Sequence, residues 1–194
     1  MAKSKRLSNK KEQEADREFY ECIKDMLQHP YVQRMKNYIH HSSTDCYRHC
    51  VHVAYYNYRI CRFFHLDARA AARAGMVHDL FLYDWRLHQA KTGDKFHAMT
   101  HPGTAIYNAK KYFDITPEEE DIMKKHMWPM TVIPPTTAEG VIMTFTDKFC
   151  GFCEFVEHYH KLPKRQAREA YAKRLADLAR SDEQEEPSET GVFS

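Results

Sequence analysis

Glycine and proline are scarce in this chain, 6 and 8 residues among 194. Few turns can therefore rely on a positive φ or a fixed φ, and few stretches alternate polar with apolar residues. This argues against a sheet built of many hairpins and predicts helices joined by short turns. No uninterrupted apolar run approaches the roughly 20 residues needed to span a bilayer. Charge of one sign is not in excess either: 29 basic and 27 acidic residues leave a net +2, which gives no overall bias toward nucleic acid. Met1-Ala2-Lys3-Ser4-Lys5-Arg6-Leu7 is basic but lacks the apolar core of a secretion signal. The expectation is a cytoplasmic protein with no membrane association and no stable nucleic-acid partner.

What is present fits one helical domain. Hydrophobic residues make up 43%, so a mean hydropathy of −0.72 reflects many charges rather than a missing core. Lys3, Lys5, Arg6, Lys10 and Lys11 form a basic start, and Asp182, Glu183, Glu185, Glu186 and Glu189 an acidic finish. Residues 1–12 are expected to be a flexible basic segment and 181–194 a disordered acidic tail. Between them lie a core domain at 13–162 and a surface helix at 163–180. The six cysteines, at 22, 46, 50, 61, 150 and 153, are not expected to form disulfides in a reducing compartment. Cys46, Cys50, Cys150 and Cys153 could together bind zinc, but each pair sits in an apolar helical pattern, where cysteine is ordinarily a buried residue.

Helical spacing of Phe19, Ile23, Met26 and Leu27 predicts a first helix from near Lys10 to just before Pro30. A short helix is expected around Val32–Ile39. Ser42, Ser43, Thr44 and Asp45 are capping residues that open a long helix to about Phe64, with His49, Val53, Tyr56 and Ile60 inward. Asp67 caps an alanine-rich helix from Ala68 to about His78. A loop with Asp84, Trp85 and His88 precedes a helix starting close to His101-Pro102 and ending near Phe113. Thr116-Pro117-Glu118-Glu119 is a capping box whose helix ends at His126. A loop with three prolines leads to a helix from about Thr137 to His158 that carries Asp147.

Histidine is over-represented, with 13 residues, and it is the commonest metal ligand. His49, the His78-Asp79 pair, His101, His126 and Asp147 fall on separate helices or at helix ends. Neighbours on a continuous helix point about 100° apart. At a helix end the backbone bends, so His78 and Asp79 can converge on one point.

The order His…His-Asp…His…His…Asp resembles the HD-domain superfamily of metal-dependent phosphohydrolases. Tyr47-Arg48-His49-Cys50-Val51-His52-Val53-Ala54 is similar to the first motif of that family. Ala74-Gly75-Met76-Val77-His78-Asp79-Leu80 is similar to its defining motif, and Thr146-Asp147-Lys148 to its last. His101 and His126 look like the intermediate histidines of the branches that hold two metals. The similarity spans roughly Pro30 to Glu157 and implies an all-α HD-domain bundle with a metal site at its centre.

The resemblance implies that His49, His78, Asp79 and Asp147 ligate one metal. Asp79 would bridge to a second, completed by His101 and His126, with His78 and Asp79 at the heart of catalysis. His52 is the alternative to His49, and His97 to His101; the motif match favours His49 and His101, leaving His97 to face substrate. Imidazole with carboxylate suits two divalent ions, Fe or Mn first, with Ni, Co or Zn as others. A bridging carboxylate sets such ions about 3.5–4 Å apart, and a shared hydroxide would attack phosphorus.

Family members carry Gly and Lys soon after the His-Asp pair. Here the run is Leu80-Phe81-Leu82-Tyr83-Asp84-Trp85-Arg86, so Asp84 or Arg86 is expected to act as proton donor or phosphate clamp. Arg73 and Lys148 could pair with phosphate or with surface carboxylates. Trp85, Trp128 and Tyr83 could stack on a nucleobase or fill the core. His40, His41 and His88 could approach the rim of the pocket, with the surface as their default place, and His158 and His160 are placed in solvent.

The expected activity is hydrolysis of a phosphoester or phosphoanhydride in a small phosphorylated substrate, a nucleotide or dinucleoside polyphosphate. A mixed-valence di-iron oxygenase would share the same ligands, and a nucleotide sensor without catalysis is a third reading. Self-association as a homodimer is left open.

Overall fold

A computed structural model of the chain describes residues 2–41, 44–84, 87, 97–160 and 164–185. Its helices are α1 (Ala2–Leu27), α2 (Pro30–Gln33), α3 (Cys46–Phe63), α4 (Ala68–Val77), α5 (His97–Tyr112), α6 (Pro117–Lys125), α7 (Ala138–His160) and α8 (Lys164–Glu185). A 3-10 turn, Arg34–Asn37, leads into a small antiparallel ribbon of β1 (Ile39–His41) and β2 (Thr44–Asp45). Among the described residues the fold is otherwise helical, and no helix is long and apolar enough to cross a membrane.

Helix α4 is the axis of the core and packs against α1, α3, α6 and α7. Its composition explains the position: Ala70, Ala71, Ala72 and Ala74 are buried, and short side chains let neighbouring backbones come close. The nearest approach is at Gly75. A Cβ there would lie 2.8 Å from the Ala54 Cα and 3.0 Å from its backbone nitrogen, so only glycine allows α3 and α4 to meet. Asn57, buried on α3, donates to the Ala71 carbonyl on α4 and accepts from the Thr146 hydroxyl on α7. That one amide fixes three helices beside Asp147.

Local signals set the helix ends as expected. Asp45 accepts from the Arg48 N–H and Asp67 from the Ala70 N–H. Thr116 and Glu119 form a reciprocal capping box with Pro117 at the first helical position. Helix α4 stops at Val77 with His78 as its C-cap, and α6 stops at Lys125 with His126 as its C-cap.

Four boundaries differ from expectation. Helix α1 begins at Ala2 rather than near Lys10, so much of the supposed flexible start is helical; its Lys, Arg, Glu and Ala are good helix formers regardless of net charge. The helix expected to reach Ile39 breaks into α2, the 3-10 turn and β1. Helix α5 starts at His97 and contains Pro102. Helix α8 runs to Glu185 and buries one face through Tyr171, Leu175 and Ala179, with Tyr171 packed 3.9 Å from Tyr55 and 6.1 Å from Phe19 between ring centroids.

Candidate metal centre

The six expected ligands converge. His49 comes from α3, His78 and Asp79 from the end of α4, His101 from α5, His126 from the end of α6 and Asp147 from α7. All but Asp147 are buried, and its side chain is only 13% exposed.

Asp79 stands at the middle, and its two oxygens face different partners. Oδ2 lies 2.8 Å from His40 Nε2 and 3.3 Å from His78 Nε2. Oδ1 lies 3.2 Å from His101 Nε2 and 3.9 Å from His126 Nε2. Asp147 Oδ1 closes the first set, 3.1 Å from His49 Nε2 and 3.6 Å from His78 Nε2. Two donors bound at right angles to one ion, each roughly 2.0–2.2 Å from it, stand about 3 Å apart. Four of these six separations lie within about 0.3 Å of that spacing, while the pairs His78–Asp147 and His126–Asp79 stand wider. Three overlapping trios have donor atoms close enough for one ion: His40, His49 and Asp79; His49, His78 and Asp147; His78, Asp79 and His126.

Hydrogen bonds to the opposite ring nitrogens aim the donors inward. His78 Nδ1 donates to the Gly75 carbonyl at 2.9 Å and His126 Nδ1 to the Met123 carbonyl at 2.7 Å. Both contacts are the backward reach of a helix-end residue to the carbonyl three positions earlier. His49 Nδ1 donates to the Glu154 carboxylate at 3.1 Å. With Nδ1 protonated in each ring, the neutral form presents an Nε2 lone pair to the carboxylates and to its neighbours, and His101 and His126 bring their Nε2 atoms within 3.1 Å. Lone pairs so placed repel unless a cation or proton lies among them. Among the described residues, neither His78 Nε2 nor Asp79 Oδ1 makes a hydrogen bond, although both are buried. The donors therefore fit a metal ion.

Electrostatics carry the same message. Burial works against a charged His78, but Asp79 and Asp147 overcome it and raise its pKa to about 10. Burial likewise opposes charge on His49, and Glu154 and Asp147 hold its pKa well above the ordinary value. Burial would raise both aspartates, yet the imidazoles keep Asp79 and Asp147 well below the usual carboxylate range. His126 moves the other way: burial, reinforced by His78, pushes it down to about 3. The pocket is built to keep positive charge between two ionised carboxylates.

Two residues at the site are not among the expected ligands. His40, for which the surface was the default and the pocket rim the alternative, is half-buried against the cluster, its ring centroid 4.3 Å from that of His49. Its strand has three residues, too short for periodicity to announce. Glu154 is buried within 3.1 Å of His49. It follows Asp147 by seven residues, two helical turns, a spacing that does mark a shared face. His52 is buried too, its Nδ1 3.6 Å from Glu154 Oε1, so it touches the group behind His49 rather than the donors themselves.

The expected substrate contacts fare differently. Arg73 is buried away from the cluster, paired with Glu119 at 2.9 Å and Asp25 at 2.7 Å, where it ties α1, α4 and α6 together. Lys148 donates to the His126 carbonyl at 2.9 Å and the Thr144 carbonyl at 3.3 Å; it anchors the end of α6. Asp84 is half-buried and belongs to none of the metal-competent trios. Trp128, two residues beyond His126, is 36% exposed. Trp85, Arg86, His88 and the side chain of His97 lie outside the described residues. Cysteine enters no metal-competent group among the described residues. Cys46 donates to the Asp79 carbonyl at 3.3 Å, and Cys50 Sγ sits 3.7 Å from His78 Nδ1; burial keeps the Cys50 thiol protonated, so both support the ligands as packing groups.

Comparison with family models, with curated proteins and with solved structures returns no match.

Proposed function

We propose that this chain is a metal-dependent phosphohydrolase of the HD-domain type, with two divalent ions sharing Asp79. The observation that carries the reading is the divergence of the two Asp79 oxygens, one toward His40 and His78 and the other toward His101 and His126. A carboxylate that served one ion would have no use for a second set of imidazoles at its far oxygen. His49, His78 and Asp147 would complete one ion and His101 and His126 the other.

Ions held there supply Lewis acidity, which makes water nucleophilic near neutral pH and offsets charge developing on a phosphoryl group. The chain supplies the rest. Glu154, Gly75 and Met123 fix the three imidazoles through Nδ1, so little reorganisation accompanies loading. Lys148 holds the α6 terminus that presents His126. Exposed Trp128 beside that terminus is suited to stack on a base, in keeping with a nucleotide or dinucleoside polyphosphate as substrate.

The test is purification under metal-limited conditions, reloading with Mn, Fe, Co or Ni, and assay against a panel of nucleotides and phosphoesters. Release of inorganic phosphate or a nucleoside monophosphate with at least one metal is expected. A donor set so rich in imidazole also suits iron. Substrate-dependent consumption of dioxygen, without cleavage of any phosphorus ester, would transfer the reading to a di-iron oxygenase.

A further inference from the structure

His40 is not one of the residues through which this chain resembles the HD family, yet among the described residues no imidazole stands closer to Asp79. The ribbon explains how it arrives. Ile39 pairs with Asp45 and His41 with Thr44, with a register irregularity between the two pairs at His40, and such irregularities re-aim a side chain. The Cys46 N–H, at the first residue of α3, donates to the Tyr38 carbonyl at 2.9 Å. The ribbon is thereby fastened to the helix that carries His49. His40 Nε2 then lies 2.8 Å from Asp79 Oδ2, and its ring meets that of His49 edge to face. His40, His49 and Asp79 have donor atoms close enough to share an ion.

We propose that His40 is a further protein ligand to the ion held by His49, His78 and Asp147. This rests on the two-ion reading above and adds a consequence to it. With His40, that ion could draw on Nε2 of His40, His49 and His78 and one oxygen each of Asp79 and Asp147, from trios that overlap: His40 with His49 and Asp79, and His78 with His49 and Asp147 or with Asp79 and His126. Asp79 Oδ1, His101 and His126 would supply the other ion. An ion that also took His40 would keep fewer exchangeable positions than the one beside His101 and His126, where an incoming phosphoryl oxygen would then find room. A mononuclear or symmetric pair would not divide its open positions in this way.

The rival role for a histidine 2.8 Å from a carboxylate is a plain hydrogen bond to Asp79. Two substitutions separate the roles, because an amide can donate that hydrogen bond but is a poor ligand for these metals. Full-length wild type, His40→Ala and His40→Gln are titrated with Co2+ and followed by calorimetry, elemental analysis and the visible spectrum of bound cobalt. A ligand predicts that both variants lose affinity for one ion by more than about 100-fold, beyond the range typical of groups acting only through a ligand. It also predicts an altered cobalt spectrum for both, and partial restoration of the Ala variant by added imidazole. Wild-type affinity and spectrum in both variants would overturn the proposal, as would loss in Ala with full retention in Gln. Wild type that takes up no metal would instead sink the metal-centre reading itself, an outcome visible before any variant is made.

Discussion

Glu154 and His49 meet across 105 residues of sequence: the carboxylate accepts from His49 Nδ1 at 3.1 Å, which leaves Nε2 3.1 Å from Asp147. The carboxylate fixes the tautomer and makes the imidazole a stronger donor. Glu154→Gln keeps the shape while removing the charge. Its metal affinity should fall by about 10–100-fold, measured by competition with a chelator of known affinity. An unchanged affinity would show that Glu154 does not act through His49.

Gly75 sits where α3 and α4 cross most closely. An added methyl group meets Ala54 backbone atoms, which cannot turn aside as a flexible side chain can. Gly75→Ala should cost about 1–3 kcal/mol of stability, the usual penalty for overpacking. Because the Gly75 carbonyl also holds His78 Nδ1, metal affinity should drop with it. Urea denaturation and metal titration on the same variant check both halves.

Arg73 is a structural cation. Replacing it by Ala strands Glu119 in the core, and breaking a buried pair from one side costs about 3–5 kcal/mol. Denaturation should reveal that loss. For whatever Arg73→Ala protein remains folded, KM for a phosphorylated substrate should equal that of wild type. A selective rise in KM with normal stability would restore Arg73 as a phosphate contact.

The pH response of the metal-free protein follows from His78. Its pKa rises from 6.5 to about 10 in the folded chain, with burial opposing and Asp79 and Asp147 driving the change. A raised folded value means that the contribution is complete below pH 6.5 and declines as pH climbs through about 10. His49, also raised, acts in the same direction. Metal-free protein should therefore lose thermal stability between pH 6.5 and 10, whereas metal-loaded protein should not, since the ion replaces those protons. Loading near pH 8 should also release protons, seen as a calorimetric enthalpy that varies with the buffer.

The sequence made some of this legible and hid the rest for identifiable reasons. Asp45, Asp67 and the Thr116–Glu119 box act within four residues of themselves, so the helix starts they govern can be read directly. His49, the His78-Asp79 pair, His101, His126 and Asp147 were legible because their order resembles the motifs of the HD-domain superfamily and they come from five separate helices or helix ends. His40 was hidden by a strand of three residues whose pairing depends on a ribbon that local pattern does not encode. The buried ion pairs of Arg73 were hidden because its partners, Asp25 and Glu119, lie 48 and 46 residues away. Glu154 carried a usable mark, its two-turn spacing from Asp147, but it lies among apolar residues that suggest only core.

The account depends most on Asp79 being shared, and metal stoichiometry addresses that most directly. Elemental analysis after saturation and desalting should give two ions per wild-type chain and at most one for Asp79→Ala, with the variant still helical by circular dichroism. Two ions retained by folded Asp79→Ala, or none bound by wild type with any of Mn, Fe, Co, Ni or Zn, would contradict it.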